Sequence, residues 1–202
     1  EPAPGPDGIT DLTTTVVTAD SITLTWTQVS DGEGSPASYA LAYGTPALDQ
    51  DWTLLAGVAV FGTAVGADAR YTFRGLQENT SYQVQAVAFR GTSTLNAVPG
   101  PLSNLVEAQT LVMLRGGSAS AIGRDGRVEL AATAATGGAA PVSYQWHRDT
   151  VSAFAPSASN AREGLAGLIA TDSTVTNGRV YYYRLVATDA QGTADLYGEV
   201  SV

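Results

Sequence analysis

Apolar and polar residues alternate along the chain in short runs, and this alternation predicts β-strands. In residues 21–26, for example, Ile22, Leu24 and Trp26 alternate with serine and threonine. A period of two residues places alternate side chains on opposite faces of a strand, so such runs are typical of half-buried strands. Clusters of Gly, Pro, Asp and Ser separate the runs. Because no segment has the regular apolar stripe of a buried helix, the sequence predicts an all-β protein.

The pattern occurs twice along the chain. Leu76 is followed six residues later by Tyr82, which begins an alternating run, and Val175 precedes Tyr181 with the same spacing. Tyr82 and Tyr181 are 99 residues apart. A chain of 202 residues therefore predicts two domains of about 100 residues each, with expected bounds of 1–111 and 112–202.

The motifs of the first half resemble those of the fibronectin type III family. They are Pro4, the runs SITLTW and YALAY at 21–26 and 39–43, the stretch 75–88 and the run EAQT at 107–110. The second half resembles the same family less closely, because its tryptophan, Trp146, lies in the expected third strand rather than the second. That is also the immunoglobulin arrangement, so the second domain is expected to be fibronectin-type-III-like or Ig-like.

The resemblance implies two tandem β-sandwiches of about seven strands each, and a structural role for the repeated tyrosine. Tyr82 and Tyr181 are expected to turn their rings into the core and to hydrogen-bond upstream backbone through their hydroxyls. Leu76 and Val175 are expected to fill the core beneath these corners.

Charge and composition exclude several functions. The 19 acidic and 10 basic residues give a net charge of −9, so a nucleic acid or an anionic membrane surface would repel the chain. The uncharged apolar run at 52–67 is too short to span a bilayer and is interrupted by glycine, so membrane insertion is not expected. The absence of cysteine excludes disulfides and thiolate metal sites.

Few residues are suited to catalysis, and the sequence predicts a protein that is not an enzyme and holds no cofactor or metal. His147 is the only histidine, and strand alternation places it on the solvent face, opposite Trp146. Two acidic pairs, Asp31 with Glu33 and Asp49 with Asp51, lie in expected loops. Calcium binding is one interpretation of these pairs, but neither has the ligand number of a known calcium motif, which favours solvated turn residues.

The long loop at 90–102 is the predicted binding site. It carries Leu95 and Val98, and we expect Asp31 and Glu33 of the neighbouring loop to form an acidic rim around them. Two interpretations of the apolar residues stand at this stage: they contact a partner, or they fold back on the edge of the sandwich. The sheet face around Tyr182 is the alternative contact surface.

Together these features predict a non-enzymatic structural or adhesive protein, acting as a spacer, a binding module or an assembly subunit. Its expected location is extracellular, on a cell surface or on a particle surface. The expected partner is a protein or glycan surface, or other subunits of a larger assembly. Two alternatives remain: a bacteriophage decoration or fibre protein, and an accessory non-catalytic region of a secreted carbohydrate-active enzyme.

Overall fold

The computed structural model describes residues 4–45, 59–91 and 96–202, without the side chains of 59–61. No helix occurs in these residues, and every strand pairing is antiparallel, which confirms the predicted all-β fold. The chain divides into two compact units, Glu1–Leu111 and Val112–Val202. The strand expected around Trp52 and Leu54 lies outside the described residues.

The first domain consists of two sheets. One sheet has the order β1-β2-β5, and the other has the order β4-β3-β6-β7, with β8 also paired to β6. The last strand of the sandwich is therefore present in two pieces, β7 and β8. The strands are β1 Thr13–Val17, β2 Ser21–Thr27, β3 Ser38–Gly44, β4 Ala59–Phe61, β5 Asp68–Arg74, β6 Ser81–Arg90, β7 Val98–Leu102 and β8 Val106–Gln109.

The second domain has the same strand order. Its sheets are β13-β10-β9 and β12-β11-β14-β15, and β16 also pairs with β14. When each divided last strand is counted once, the described residues of each domain form seven strands, the number that the sequence predicts. The strands are β9 Ala119–Arg124, β10 Arg127–Ala132, β11 Ser143–Asp149, β12 Ala161–Ala166, β13 Ile169–Asp172, β14 Tyr182–Thr188, β15 Ala194–Leu196 and β16 Val200–Ser201.

The two domains also share their strand register. In the first domain Leu41 of β3 lies opposite Ala86 of β6, and in the second Trp146 of β11 lies opposite Leu185 of β14. Ala86 follows Tyr82 by the same number of residues as Leu185 follows Tyr181. Positions can therefore be compared between the domains residue by residue.

Each domain has its own core between its sheets. Trp26 of β2 is 2% exposed and packs edge-on against Tyr39, with 5.3 Å between ring centroids. In the second domain Trp146 of β11 is fully buried, and its indole nitrogen donates to the carbonyl of Gly167 at 3.0 Å. The tryptophan thus lies in the second strand of the first domain and in the third strand of the second domain, as the sequence predicts. A core tolerates such an exchange when the total side-chain volume is kept.

A side chain attaches the segment before the first strand of each domain to the last strand. Asn104, between β7 and β8, accepts from the amide of Leu12 at 3.0 Å and donates to the Leu12 carbonyl at 2.8 Å. In the second domain, Asp195 of β15 accepts from the amide of Gly116 at 2.6 Å. Both contacts join the edges of the two sheets.

Candidate functional site

The repeated tyrosines form equivalent corners. The hydroxyl of Tyr82 accepts from the amide of Gln77 at 2.9 Å, and that of Tyr181 accepts from the amide of Thr176 at 3.0 Å. Both tyrosines are 6% exposed. Leu76 is buried in the first core, and Val175 packs partly buried against the second. These four residues hold the crossover between the sheets, and their role is structural.

A second pair of tyrosines fixes the loop after the second strand in each domain. The hydroxyl of Tyr39 accepts from the amide of Val29 at 2.7 Å, and that of Tyr144 accepts from the amide of Ala135 at 3.0 Å. The signal was present in the sequence, since Tyr39 and Tyr144 occupy aligned positions in the repeat. These bonds limit the freedom of the loops that end each sandwich.

His147 is not the solvated residue that strand alternation predicts. It is 8% exposed, and its Nδ1 lies 3.2 Å from the carbonyl of Ser157 and 3.0 Å from Oδ1 of Asn160. The alternation places the ring opposite Trp146, but the connection between β11 and β12 packs over that face. The imidazole is therefore used to hold this connection in place.

The second domain contains a buried polar cluster that the sequence analysis did not identify. Nη1 of Arg148 lies 2.6 Å from Oδ2 of Asp172, and the Tyr183 hydroxyl donates to the same oxygen at 3.0 Å. Thr174 donates to Oδ1 of Asp172 through both its amide and its hydroxyl. The Arg148 guanidinium also lies 4.9 Å from the centre of the Tyr181 ring. The cluster thus adjoins the tyrosine corner.

The charges of this cluster stabilise each other. Burial raises the pKa of the Asp172 carboxyl, but the bonds from Thr174 and Tyr183 and the charge of Arg148 outweigh burial and hold that pKa below its ordinary value. Burial and the adjacent carboxylate raise the pKa of the Tyr183 hydroxyl. Asp172 is therefore an anion at neutral pH, and Tyr183 is a neutral donor.

Asp31 has a structural role in the first domain. It is 9% exposed, and its Oδ1 accepts from the amides of Glu33 and Ser35 at 2.8 and 3.0 Å. An aspartate that binds the backbone two and four residues later stabilises a turn. Asp31 therefore stabilises its own loop and does not contribute to the exposed acidic rim that the sequence predicts.

Glu33 and Val98 are exposed at the same end of the domain. Oε1 of Glu33 lies 3.3 Å from Nη1 of Arg90, and the Glu33 side chain is 57% exposed. Val98 is 39% exposed and pairs with Arg90 across β6 and β7. Leu95 lies outside the described residues. The structure thus brings Glu33 and Val98 together around Arg90.

The N-terminal segment also packs against this end. Arg90 donates to the carbonyl of Pro4 at 2.9 Å. Gly32 lies beside Pro4 and adopts a φ of +91°. A Cβ at Gly32 would lie 2.2 Å from the Pro4 oxygen, so only glycine fits this position. Pro4, Gly32, Glu33 and Arg90 therefore contact one another at this end of the first domain.

Residues 6–98 match the family model described as the fibronectin type III domain. The first domain belongs to the fibronectin type III family. The second domain repeats the strand order and register of this fibronectin type III domain, and the chain is therefore a tandem of two such sandwiches.

Solved fibronectin type III structures are similar to the chain. The chicken CNTN1 FN1-FN3 domains share 15% identity over 99% of this chain and 68% of that one, with a TM-score of 0.49. The two fibronectin type III domain segment from chicken tenascin shares 15% identity over 97% of this chain and 98% of that one, with a TM-score of 0.35. No curated protein matches the sequence.

The part of the chain that the structure describes contains neither a metal centre nor a membrane-spanning helix. Within 4–45, 59–91 and 96–202, no group of three or more His, Asp or Glu side chains is arranged to hold a metal ion. Asp49 and Asp51 lie outside these ranges. The same residues include no helix of the length and hydropathy needed to cross a bilayer.

Proposed function

We propose that the chain is a non-enzymatic adhesive spacer of an extracellular or particle-surface protein. The end of its first domain that carries Glu33, Arg90 and Val98, here called the loop end, binds a protein or glycan surface. The observation that carries this proposal is the fibronectin type III domain at residues 6–98. Domains of this family are generally structural or adhesive binding modules.

The structural roles of the polar side chains support the proposal that the chain is not an enzyme. His147 binds the β11–β12 connection, Asp31 forms a turn, and Asp172 is paired within the second core. Catalysis requires acid and base groups that converge on an open site. Here the side chains with the strongest interactions are used to maintain the fold.

The described residues at the loop end form a connected contact surface. Arg90 links Glu33 to the carbonyl of Pro4, and Val98 lies beside this link with an exposed apolar side chain. Preorganised loops lose less conformational entropy on binding than mobile ones. An apolar residue with charged neighbours suits a surface contact of moderate strength.

Binding to defined surfaces tests the proposal. The labelled chain is applied to fibrillar collagen, fibronectin, cellulose and chitin, and saturable binding to at least one of them is expected. A variant carrying Leu95→Ser and Val98→Ser should bind this surface more weakly, because it lacks the apolar contact, while its thermal unfolding stays nearly unchanged. Leu105→Ser is the matched control, since Leu105 is 47% exposed on the same domain but away from the loop end.

Two results would contradict the proposal. One is the absence of saturable binding to all four surfaces. The other is the release of new amino termini or reducing sugar ends from them, which would show catalysis.

A further inference from the structure

The arginine residues are unevenly distributed. Residues 1–111 contain three arginines and eleven acidic residues, whereas residues 112–202 contain seven arginines and eight acidic residues. Five of the ten arginines of the chain, at positions 124, 127, 148, 162 and 179, line two adjoining cavities at one end of the second domain. Arginine is thus concentrated at one end of the second domain, in a chain with a net charge of −9.

The larger cavity has a volume of about 370 Å³ and lies beside the tyrosine corner. Its size falls in the range of about 300–1,000 Å³ that is usual for small-molecule sites. Its wall is mainly polar, and Asp149 is the only acidic residue among the described residues that line it. The lining consists of Arg148, Asp149, Thr150, Ser159, Asn160, Arg162, Thr174, Thr176, Arg179 and Tyr181.

The five arginines differ in whether their charge is already paired. Arg124 and Arg127, in the smaller cavity, both bond to Glu129, at 3.1 and 3.3 Å. In the described part of the chain, neither Arg162 nor Arg179 has an ion-pair partner. The larger cavity therefore contains two guanidinium groups whose charge is available to a ligand.

Arg162, which lines the larger cavity, has one donor without a partner. Its Nε is buried and has no acceptor among the described residues. A buried N–H without a partner costs free energy, because it has lost its bond to water and gained none in return. An anionic ligand oxygen would supply the missing acceptor once the Arg162 side chain turns toward the cavity.

Arg148 is held at the cavity by an arrangement that the first domain lacks. Phe73 of the first domain corresponds to Asp172, and Tyr43 corresponds to Arg148. A buried ion pair contributes little net stability compared with apolar residues of similar volume. Since the first domain has the same fold without the ion pair, the fold does not require it.

We propose that this cavity binds a small polyhydroxylated anion, of the class of sugar phosphates and uronates. Arg162 and Arg179 bind its phosphate or carboxylate group, and arginine suits such groups because its planar fork donates two parallel hydrogen bonds. Thr150 and Ser159 bind its hydroxyl groups. The cavity is too large to be filled by an oxyanion alone.

Titration of the full chain, followed by amide NMR shifts, tests this site. The probes are glucose 6-phosphate, glucuronate, inorganic phosphate and neutral glucose. Glucose 6-phosphate, glucuronate or both should give saturable shifts at residues 148–150, 159–162 and 174–181, and glucose should give none. Comparison of the two charged sugars distinguishes a phosphate from a carboxylate ligand.

Three variants, each lacking one positive charge, separate binding at the site from general attraction. Arg162→Gln and Arg179→Gln should each weaken binding at least about tenfold, the usual effect of losing a charge-assisted hydrogen bond. Arg74→Gln is the control, because Arg74 is exposed on the first domain. It should leave the affinity unchanged.

Several results would overturn the proposal. The site is wrong if no probe gives saturable shifts, or if Arg74→Gln weakens binding as much as Arg179→Gln does. The ligand class is wrong if inorganic phosphate binds as tightly as both sugars, or if glucose binds as tightly as glucuronate. Surface attachment through Val98 is independent of these results, since Arg179→Gln leaves the first domain unaltered.

Discussion

Arg148 occupies in the second domain the strand position that Tyr43 occupies in the first. Tyr43 contacts the ring of Phe73, with 4.6 Å between centroids, whereas Arg148 forms its ion pair with Asp172, the counterpart of Phe73. The same place in one fold is thus held by an aromatic contact in one domain and by a buried ion pair in the other.

Substitutions at these positions test how the ion pair contributes to the free energy of unfolding of the second domain. Arg148→Met should destabilise the second domain by about 3 to 5 kcal/mol, because it leaves the Asp172 charge buried without its partner. A triple variant with Arg148→Tyr, Asp172→Phe and Tyr183→Val carries the residues of the first domain at these positions. It should recover most of the loss in urea unfolding followed by the amide signals of β14. A triple variant no more stable than Arg148→Met would contradict this account.

The ion pair also predicts how stability depends on pH. The pKa of Asp172 is lower in the folded domain than in the unfolded chain, so its contribution is fully present above the unfolded value of about 4. That contribution is lost as the pH falls through the folded pKa. The free energy of unfolding of the second domain should therefore decrease as the pH is lowered from 5 to 3, less steeply in the triple variant. Equal slopes would show that Asp172 is not responsible.

The tyrosine corners should stabilise their own domains. Tyr82→Phe and Tyr181→Phe each remove the acceptor for one backbone amide, at Gln77 and Thr176, and should cost about 1 to 3 kcal/mol. Tyr182→Phe is the control, because its hydroxyl makes no hydrogen bond to the described residues. Domain-resolved thermal unfolding provides the measurement. Unchanged stability of both corner variants would remove the structural role assigned to them.

The repeat made most of the fold predictable. The spacing from Leu76 to Tyr82 and from Val175 to Tyr181 locates equivalent strands in both domains, because strand periodicity and the corner are local properties of the sequence. His147 was wrongly predicted to be exposed, because alternation identifies the face of a strand but not what covers it. The Arg148–Asp172 ion pair could not be predicted for a similar reason. Its members are 24 residues apart and meet only when strands of both sheets pack together.

The hydrogen bonds between Asn104 and Leu12 have a consequence for how the chain associates with other chains. The amide side chain offers one donor and one acceptor, as a backbone peptide unit does, and it uses both on Leu12. Those backbone groups are therefore unavailable to an incoming β-strand from a neighbouring molecule, and the bond from Gly116 to Asp195 occupies a corresponding amide in the second domain. Addition of a strand from another molecule is therefore blocked at these points of each sandwich.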